Sequence, residues 1–256
     1  MQENEVRDRL VAAGIENARN EARWLCEALS GEALAAAVEK RALHYPLQYL
    51  LGDWEFCHES FEVSEHCLIP RADTELLVEK AVDLLPRGAR FLDLCTGSGC
   101  VAISTLASRP DTTAVAVDLF DETLALAARN AVRNGVSDRA SFQKANVLEA
   151  PTDLVGKGYA AILSNPPYIK EEAMRDLPAE VRHEPAAALR GGADGLDFYR
   201  AMLEKWRSVL SPDGFFLFEI GYDQAEDLAC LARANGLQCS VWRDLGGNDR
   251  VVLLKK

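Results

Sequence analysis

The sequence predicts an α/β protein in which a doubly wound, mostly parallel sheet follows a smaller helical region. From residue 90 onward, short runs of strand-forming residues alternate with segments of helical periodicity. The first of these runs leads directly into a glycine-rich turn. Residues 3–43 are instead rich in Ala, Leu, Glu and Arg at helical spacing. We therefore predict a helical N-terminal domain with a hairpin over residues 1–70 and a sheet domain over residues 71–256.

The N-terminal region predicts two or three short helices and then a β-hairpin. Ala18, Ala22 and Leu25 recur at the spacing of one helix face, and Gly31 interrupts the pattern. The stretch WEFCHESFEVS (54–64) alternates aromatic and polar residues, which is typical of a hairpin. We expect this hairpin to link the two domains.

The sheet domain begins with a helix predicted from Pro70 and Thr74 to near Gly88. The seven predicted strands are residues 90–94, 113–118, 140–144, 160–165, 214–220, 237–243 and 250–255. Further helices are predicted through Ser108, from Asp121 to Gly135, around 196–209 and around 223–234. The last two strands are expected to be neighbours, and the long loop 169–195 is expected to be functional.

Composition narrows the function classes. The chain has 256 residues and a net charge of −12, which argues against a large nucleic-acid footprint. No apolar run approaches the roughly 20 residues of a membrane span, and the N-terminus is polar, so we expect a cytoplasmic protein that does not bind membranes. Seven cysteines without a CxxC pair predict reduced thiols and no metal site.

The acidic imbalance is concentrated at the N-terminus. Residues 1–70 hold six basic and thirteen acidic side chains, a net charge of −7. Such a surface is either a solvated acidic face or a docking surface for a basic partner.

The stretch LDLCTGSGCVAI (92–103) predicts a cofactor site. Gly97 and Gly99 follow a strand and precede a helix, so backbone N–H groups can approach a ligand closely. Asp118 ends the next strand, where it can accept hydrogen bonds from ribose hydroxyls. This pattern alone also fits a dinucleotide. Asp93 would repel a pyrophosphate but suits an ammonium group, which favours S-adenosylmethionine over NAD.

The stretch ILSNPPYIK (162–170) predicts the catalytic motif. If its strand neighbours the first strand, Asn165 faces the methyl group of the donor. The Asn165 side-chain oxygen and the Pro166 carbonyl can accept both protons of a planar NH₂ group and turn its lone pair toward that methyl group. Tyr168 offers a flat face for stacking. The acceptor is then a glutamine or asparagine amide or an exocyclic base amine, and both remain open.

Over nearly its whole length the sequence resembles the release factor glutamine methyltransferases. The segments that carry the resemblance are residues 46–79, 92–99, 116–118, 164–169, 180–189, 191–200 and 243–252. The resemblance implies a Rossmann-like class I methyltransferase domain that uses S-adenosylmethionine and releases S-adenosylhomocysteine. The implied reaction is N5-methylation of the glutamine in the Gly-Gly-Gln motif of class I peptide chain release factors, by a monomer that does not bind nucleic acid directly.

The resemblance also implies roles for individual residues. The methionine part of the donor would be held by Cys95, Thr96, Gly97, Ser98 and Gly99, its ribose by Asp118, and its adenine by Asn146 and Val147. Asn165 would touch donor and substrate, and the amide pocket would be completed by Pro166, Pro167 and Tyr168. The resemblance leads one to expect glycine and aspartate where this chain has Cys95 and Asn146, and a longer N-terminal helical region.

Three alternative functions were weighed. An adenine-N6 methyltransferase shares the Asn-Pro-Pro-Tyr motif but predicts a basic cleft, which the net charge of −12 disfavours. Glutamine methylation of another translation protein fits the same chemistry. A donor-binding regulator without activity is disfavoured by the intact motif. In the long loop, Arg182 and Glu184 either contact the partner or form a surface ion pair, and His183 is expected to pack or lie exposed.

Overall fold

The computed structural model of the chain describes residues 1–152, 154 and 157–256. Its N-terminal helices are α1 (Glu3–Ala12), α2 (Ala18–Ala28), α3 (Gly31–Ala42) and α4 (Leu47–Leu51). Three of them confirm the predicted helices, whereas the short α4 was not predicted. Their apolar faces enclose a core of their own that includes Val6, Leu10, Leu25 and Val38.

A hairpin of β1 (Asp53–Phe56) and β2 (Glu59–Glu62) follows these helices, as predicted. Phe56 and Phe61 are buried and meet edge to face, with ring centroids 6.0 Å apart. Trp54 is half-buried. The hairpin therefore packs its aromatic face against the core of the following domain.

The sheet domain confirms the predicted α/β class. Its helices are α5 (Glu75–Leu84), α6 (Cys100–Ser108), α7 (Asp121–Arg133), α8 (Asp197–Ala201) and α9 (Ala225–Ala234). Its strands are β3 (Arg90–Leu94), β4 (Thr113–Asp118), β5 (Ala140–Lys144), β6 (Tyr159–Ser164), β7 (Leu210–Glu219), β8 (Gln238–Arg243) and β9 (Asp249–Lys255). The helix predicted around 196–209 is α8 continued by one π-helical turn and a 3₁₀ turn.

The strand order is β5-β4-β3-β6-β7-β9-β8. Strands β3 to β7 run parallel to one another, and β9 is antiparallel to both β7 and β8. After β5 the chain crosses to the other side of β3 to form β6. The order reverses between β3 and β6, and ligands of such sheets bind at this switch point, beyond the carboxyl ends of the strands.

Helices cover both faces of the central strands, and residues alternate between the two cores along each of these strands. Phe91, Leu163 and Leu217 belong to the core under α5 and α6. Leu92 and Ile162 point the other way, into the core under α8 and α9. None of the helices among the described residues has the length and apolar character needed to cross a membrane.

Candidate active site

A cavity of about 480 Å³ opens at the carboxyl ends of β3, β4 and β6. Its size lies in the range of small-molecule sites. The predicted site residues on its wall are Cys95, Thr96, Gly97, Ser98, Asp118, Asn146, Val147, Asn165 and Pro167. The fold thus brings most of the predicted cofactor residues together with Asn165, the predicted catalytic residue.

The glycine-rich turn after β3 gives its two glycines different roles. Gly97 has a φ of +56°, lines the cavity, and has open space where a side chain would lie. Gly99 does not line the cavity. It has a φ of +83°, and a Cβ there would lie 2.8 Å from Ile103 and 3.1 Å from Ala127. Gly97 therefore leaves room for a ligand, and Gly99 lets α6 pack closely on α7.

Cys95 also adopts a left-handed backbone conformation, with a φ of 60°. For a residue with a Cβ this conformation costs roughly 1–2 kcal/mol relative to the right-handed one. The structure thus gives a physical reason for the glycine that the resemblance leads one to expect at this position. Burial raises the pKa of the Cys95 thiol well above its usual value, so the side chain is a neutral wall group.

Asp118 fixes the turn as well as facing the cavity. Its Oδ2 accepts from the Gly97 amide at 3.0 Å, and its Oδ1 accepts from the Leu119 amide at 2.8 Å. A carboxylate has about four acceptor positions, so capacity remains for a ribose hydroxyl. Burial raises the Asp118 pKa.

Asp93 lies on the cavity wall and is 1% exposed. Its Oδ2 accepts from the Thr96 hydroxyl at 2.6 Å and from the Ala102 amide at 3.2 Å. Burial raises the Asp93 pKa to about 7, although the bond from Thr96 opposes the shift. A cationic ligand group nearby would favour the ionised form.

At the far end of the cavity, Asn146 organises a turn. Its Oδ1 accepts from the Leu148 amide at 3.0 Å, and its Nδ2 donates to Glu149 at 3.0 Å. The side chain is thus occupied within the protein, and the turn places buried Val147 on the wall. Leu148 and Phe120, two exposed apolar residues that were not predicted from the sequence, also line the cavity.

Asn165, the predicted catalytic residue, is oriented by a residue from another element. Asn165 follows β6 and is half-buried on the cavity wall. Its Nδ2 donates to the Thr74 hydroxyl at 3.0 Å. This hydrogen bond fixes the position of the amide nitrogen, so the side-chain oxygen remains free to accept a hydrogen bond. The predicted chemistry requires such an acceptor for the NH₂ group of the substrate.

The remaining motif residues lie around this position. Pro167 lines the cavity, whereas Pro166 and Tyr168 do not. The Tyr168 hydroxyl donates to Glu219 Oε1 at 3.3 Å. The structure therefore does not place the Tyr168 ring on the same wall as the cofactor residues.

Two glycines of the segment GGADG (191–195) lie very close to the loop that carries the Asn-Pro-Pro-Tyr motif (165–168). A Cβ on Gly191 would lie 2.6 Å from the Tyr168 Cα atom, and one on Gly195 would lie 2.4 Å from the Tyr168 carbonyl oxygen. Gly195 also has a φ of +79°. The absence of side chains at these two positions sets how close the loop can lie.

Asn130 is a buried structural residue of the site that the sequence analysis missed. It lies on α7 and is fully buried. Its Nδ2 donates to the Ser98 carbonyl at 2.9 Å and to the Glu62 carbonyl at 3.0 Å, and its Oδ1 accepts from the Glu62 amide at 2.7 Å. The residue joins the hairpin to the glycine-rich turn. The sequence contains one signal for this role: Asn130 is a polar residue on the apolar stripe of a predicted helix.

Glu184 ties the long loop to the rest of the protein, and Arg182 braces the loop internally. Glu184 is 6% exposed, pairs with Arg71 and accepts from the Ile69 amide at 3.1 Å. Arg182 donates to the Leu177 carbonyl at 2.8 Å within the loop itself. His183 is exposed and lies edge-on to Tyr45, 5.3 Å between ring centroids.

The charges of the wall distinguish the candidate ligands. Its arginines include Arg71 and Arg190, which pair with Glu184 and Glu171. The carboxyl groups of Asp93 and Asp118 lie beside the glycine-rich turn, where a cationic ligand group would favour their ionised forms. Carboxylates there and an apolar surface at the other end fit an adenosine that carries a cationic amino-acid tail, and they disfavour a pyrophosphate.

Comparisons with known proteins agree with this geometry. The family model for the methyltransferase small domain matches residues 71–194. The release factor glutamine methyltransferase of Geobacter sulfurreducens is 39% identical, over 95% of this chain and 91% of that protein. The release factor glutamine methyltransferase of Cereibacter sphaeroides is 40% identical, over 95% of this chain and 93% of that protein.

Among solved structures, the catalytic domain of hMettl16 in complex with an RNA hairpin aligns with a TM-score of 0.64. The alignment covers 88% of this chain and 80% of that one, at 16% identity. At this identity the likeness concerns the fold alone.

Proposed function

Because the chain belongs to the release factor glutamine methyltransferase family, we propose that it N5-methylates the glutamine of the Gly-Gly-Gln motif in class I peptide chain release factors. We infer that the methyl donor is S-adenosylmethionine. Because release factors act in translation, we infer that the reaction takes place in the cytoplasm. The observation that carries the proposal is the orientation of Asn165, whose Nδ2 is held by Thr74 at 3.0 Å. Its oxygen is thereby available to an incoming amide.

The residues that would hold S-adenosylmethionine are those of the cavity wall. Asp93 and the turn around Gly97 suit its amino-acid end, and Asp118 suits the ribose. Val147 and Phe120 offer apolar surface to the adenine. When bound, S-adenosylmethionine supplies a methyl group on a sulfonium, which is electrophilic without help from a metal.

The chain's own task is to position the acceptor nitrogen. An amide nitrogen is a weak nucleophile, because its lone pair is delocalised into the carbonyl. Asn165 Oδ1 and the Pro166 carbonyl accept hydrogen bonds from its two N–H groups. These hydrogen bonds hold the lone pair toward the methyl group. The same oxygens stabilise the positive charge that develops on nitrogen. The cationic methylated amide then loses a proton readily, so we assign no general base.

We propose that the helical N-terminal region contributes to release factor docking. It carries a net charge of −7 over residues 1–70, which suits a basic partner surface. Arg41 of α3 pairs with Glu180 in the long loop at 2.7 Å. This contact links the acidic region to the loop that follows the catalytic motif.

Transfer of labelled methyl groups from S-adenosylmethionine tests the proposal. Purified class I release factor, its Gly-Gly-Gln→Gly-Gly-Ala variant and duplex DNA are compared as acceptors. We expect label on the wild-type factor only. Label on DNA would favour adenine methylation, and equal label on the Gly-Gly-Ala variant would exclude that glutamine as the target.

A further inference from the structure

Glu219 is a buried carboxylate to which the proposed reaction assigns no role. It is the last residue of β7, beside the strand that leads into Asn165, and it is 1% exposed. Burying a carboxyl group costs free energy unless hydrogen bonds or charges compensate it. Its partners therefore indicate why the position is acidic.

Those partners belong to the catalytic site. The Tyr168 hydroxyl donates to Oε1 at 3.3 Å, and hydrogen bonding from Thr74 lowers the Glu219 pKa against the effect of burial. Within the described residues, the buried Oε2 has no hydrogen-bond partner, so this acceptor oxygen is open to the Thr74 hydroxyl.

The direction of these hydrogen bonds matters for Asn165. The Thr74 hydroxyl has one proton, and it already accepts a hydrogen bond from Asn165 Nδ2. An ionised Glu219 can only accept, so it draws the Thr74 proton and leaves the Thr74 oxygen for Asn165. The Asn165 oxygen then remains free for the substrate amide.

We propose that Glu219 is a positioning residue for methyl transfer: its carboxylate accepts from Thr74 and Tyr168 and thereby fixes the Asn165 amide and the Tyr168 ring at the acceptor pocket. This role rests on the proposed function. It assigns to Glu219 no contact with substrate or cofactor, and no chemical step.

Burial raises the Glu219 pKa most, and two neighbouring charges act on it in opposite directions. Arg250 of β9 lowers its pKa, and Asp73 beside Thr74 raises it. Arg250 also pairs with Asp244 at 3.0 Å and with Asp73 at 3.4 Å, so its charge is shared.

The remaining contact and the burial complete this environment. Tyr199 of α8 donates only to the Glu219 main-chain carbonyl. Burial is the largest influence and raises the Glu219 pKa to about 7.

Protonation of Glu219 would reverse the direction of its hydrogen bond with Thr74. A neutral Glu219 carries a proton of its own and can donate it to Thr74, in competition with Asn165. We expect kcat to fall as the pH drops through about 7. Asp93 has a similarly raised pKa but lies on the cavity wall. A bound cationic donor group favours its ionised form, so at saturating S-adenosylmethionine its titration is expected to move below pH 7.

The test is the pH dependence of kcat at saturating S-adenosylmethionine and release factor for wild type and Glu219→Gln. A glutamine keeps the shape but has one acceptor oxygen for two hydroxyl donors. We expect kcat of Glu219→Gln to be about 10-fold lower, on the scale of one hydrogen bond. The KM values for S-adenosylmethionine and release factor should be unchanged. The fall of kcat on the acidic side of the pH profile (the acid limb) should be absent. A variant with wild-type kcat and an intact acid limb would overturn the inference.

Two further variants keep the test decisive if Glu219→Gln folds poorly. Thr74→Val and Tyr168→Phe each remove one hydroxyl while leaving the carboxylate in place, and each should lower kcat. Wild-type kcat in both would overturn the role. A wild-type enzyme that methylates no release factor would remove the proposed function and this role with it, whereas normal wild-type turnover with unaffected variants would remove this role alone.

Discussion

Asn165 and Thr74 show how the site is assembled at the scale of single residues. They are 91 positions apart in the chain, yet the hydrogen bond between them decides which end of the Asn165 amide is available. Thr74 is 1% exposed, so water does not compete for its hydroxyl. The orientation of the catalytic amide is therefore built into the folded protein.

Replacing Asn165 by alanine tests this residue directly. Asn165→Ala removes one acceptor for the substrate amide, and kcat should fall about 10²-fold, the scale of losing one preorganised polar group. Steady-state methyl transfer measures the loss. Asn20→Ala, at an exposed position on α2, is the control and should leave kcat unchanged. An Asn165→Ala enzyme with normal turnover would contradict the assignment.

Asp93 predicts a proton linkage. Its pKa of about 7 in the free protein means that much of it is protonated at neutral pH. A cationic ligand group favours the ionised form, so S-adenosylmethionine binding should release a fraction of a proton near pH 7 and weaken as the pH falls below 7.

Calorimetry in two buffers of different ionisation enthalpy measures this release. In Asp93→Asn the release should disappear and the affinity should lose its dependence on pH between 6 and 8. Equal proton release in both proteins would assign the linkage to another group.

At the residue scale, short motifs predicted which residues line the site, but not which distant residues form hydrogen bonds with them. Gly97, Asp118 and Asn165 were predicted from short motifs at the ends of strands, and the structure places all three on the wall of one cavity. Thr74 and Glu219 were not, since nothing local marks a residue whose partner lies far away in the chain. Asn146 was expected at the adenine, but its side chain is used within its own turn.

At the scale of elements, the segment that contains Gly195 supports the catalytic loop. Alanine at Gly195 would place a Cβ 2.4 Å from the Tyr168 carbonyl oxygen and would also have to adopt a φ of +79°. Gly195→Ala should displace the loop, lower kcat by about 10-fold, and cost at least the roughly 1 kcal/mol of a left-handed alanine.

Gly135→Ala separates the two effects. Gly135 has a φ of +67° and no atom within 4 Å of an added Cβ, so its substitution strains the backbone alone. Both variants should unfold at lower denaturant concentration, but only Gly195→Ala should lose activity. Equal kcat values would mean that the close approach to Tyr168 has no catalytic importance.

The elements themselves were largely predictable. Six of the seven strands lie within one residue of their predicted bounds, because apolar runs bounded by turns leave few alternatives. β7 begins at Leu210, earlier than predicted, since Leu210 pairs with Tyr159 across a register shift. The π-helical turn Met202–Trp206 was not predictable, because its backbone differs from an α-helix without a matching change in periodicity.

At the scale of the whole molecule, Arg41 joins the N-terminal helices to the long loop. It is 3% exposed, forms two hydrogen bonds to Glu21 in the helical region and one to Glu180 in the long loop. No short motif predicts this network, because its members come from α2, α3 and the other domain. It was therefore absent from the sequence analysis.

Disrupting this network has a predicted energetic pattern. Arg41→Met leaves Glu21 buried without its partner, which should lower the free energy of unfolding by about 3 kcal/mol. The double variant Arg41→Met/Glu21→Met removes both charges and should recover much of that loss. Equilibrium urea unfolding measures both. A double variant less stable than Arg41→Met would contradict this account of the pair.

The central claim for the molecule as a whole is that its cavity, its catalytic loop and its N-terminal region together select one glutamine amide. Tandem mass spectrometry of release factor after incubation with enzyme and S-adenosylmethionine tests this claim most directly. We predict a single added methyl group on the side-chain nitrogen of the Gly-Gly-Gln glutamine, absent with the Asn165→Ala enzyme. A methyl group on another residue of the factor, or an unmodified factor, would contradict the account.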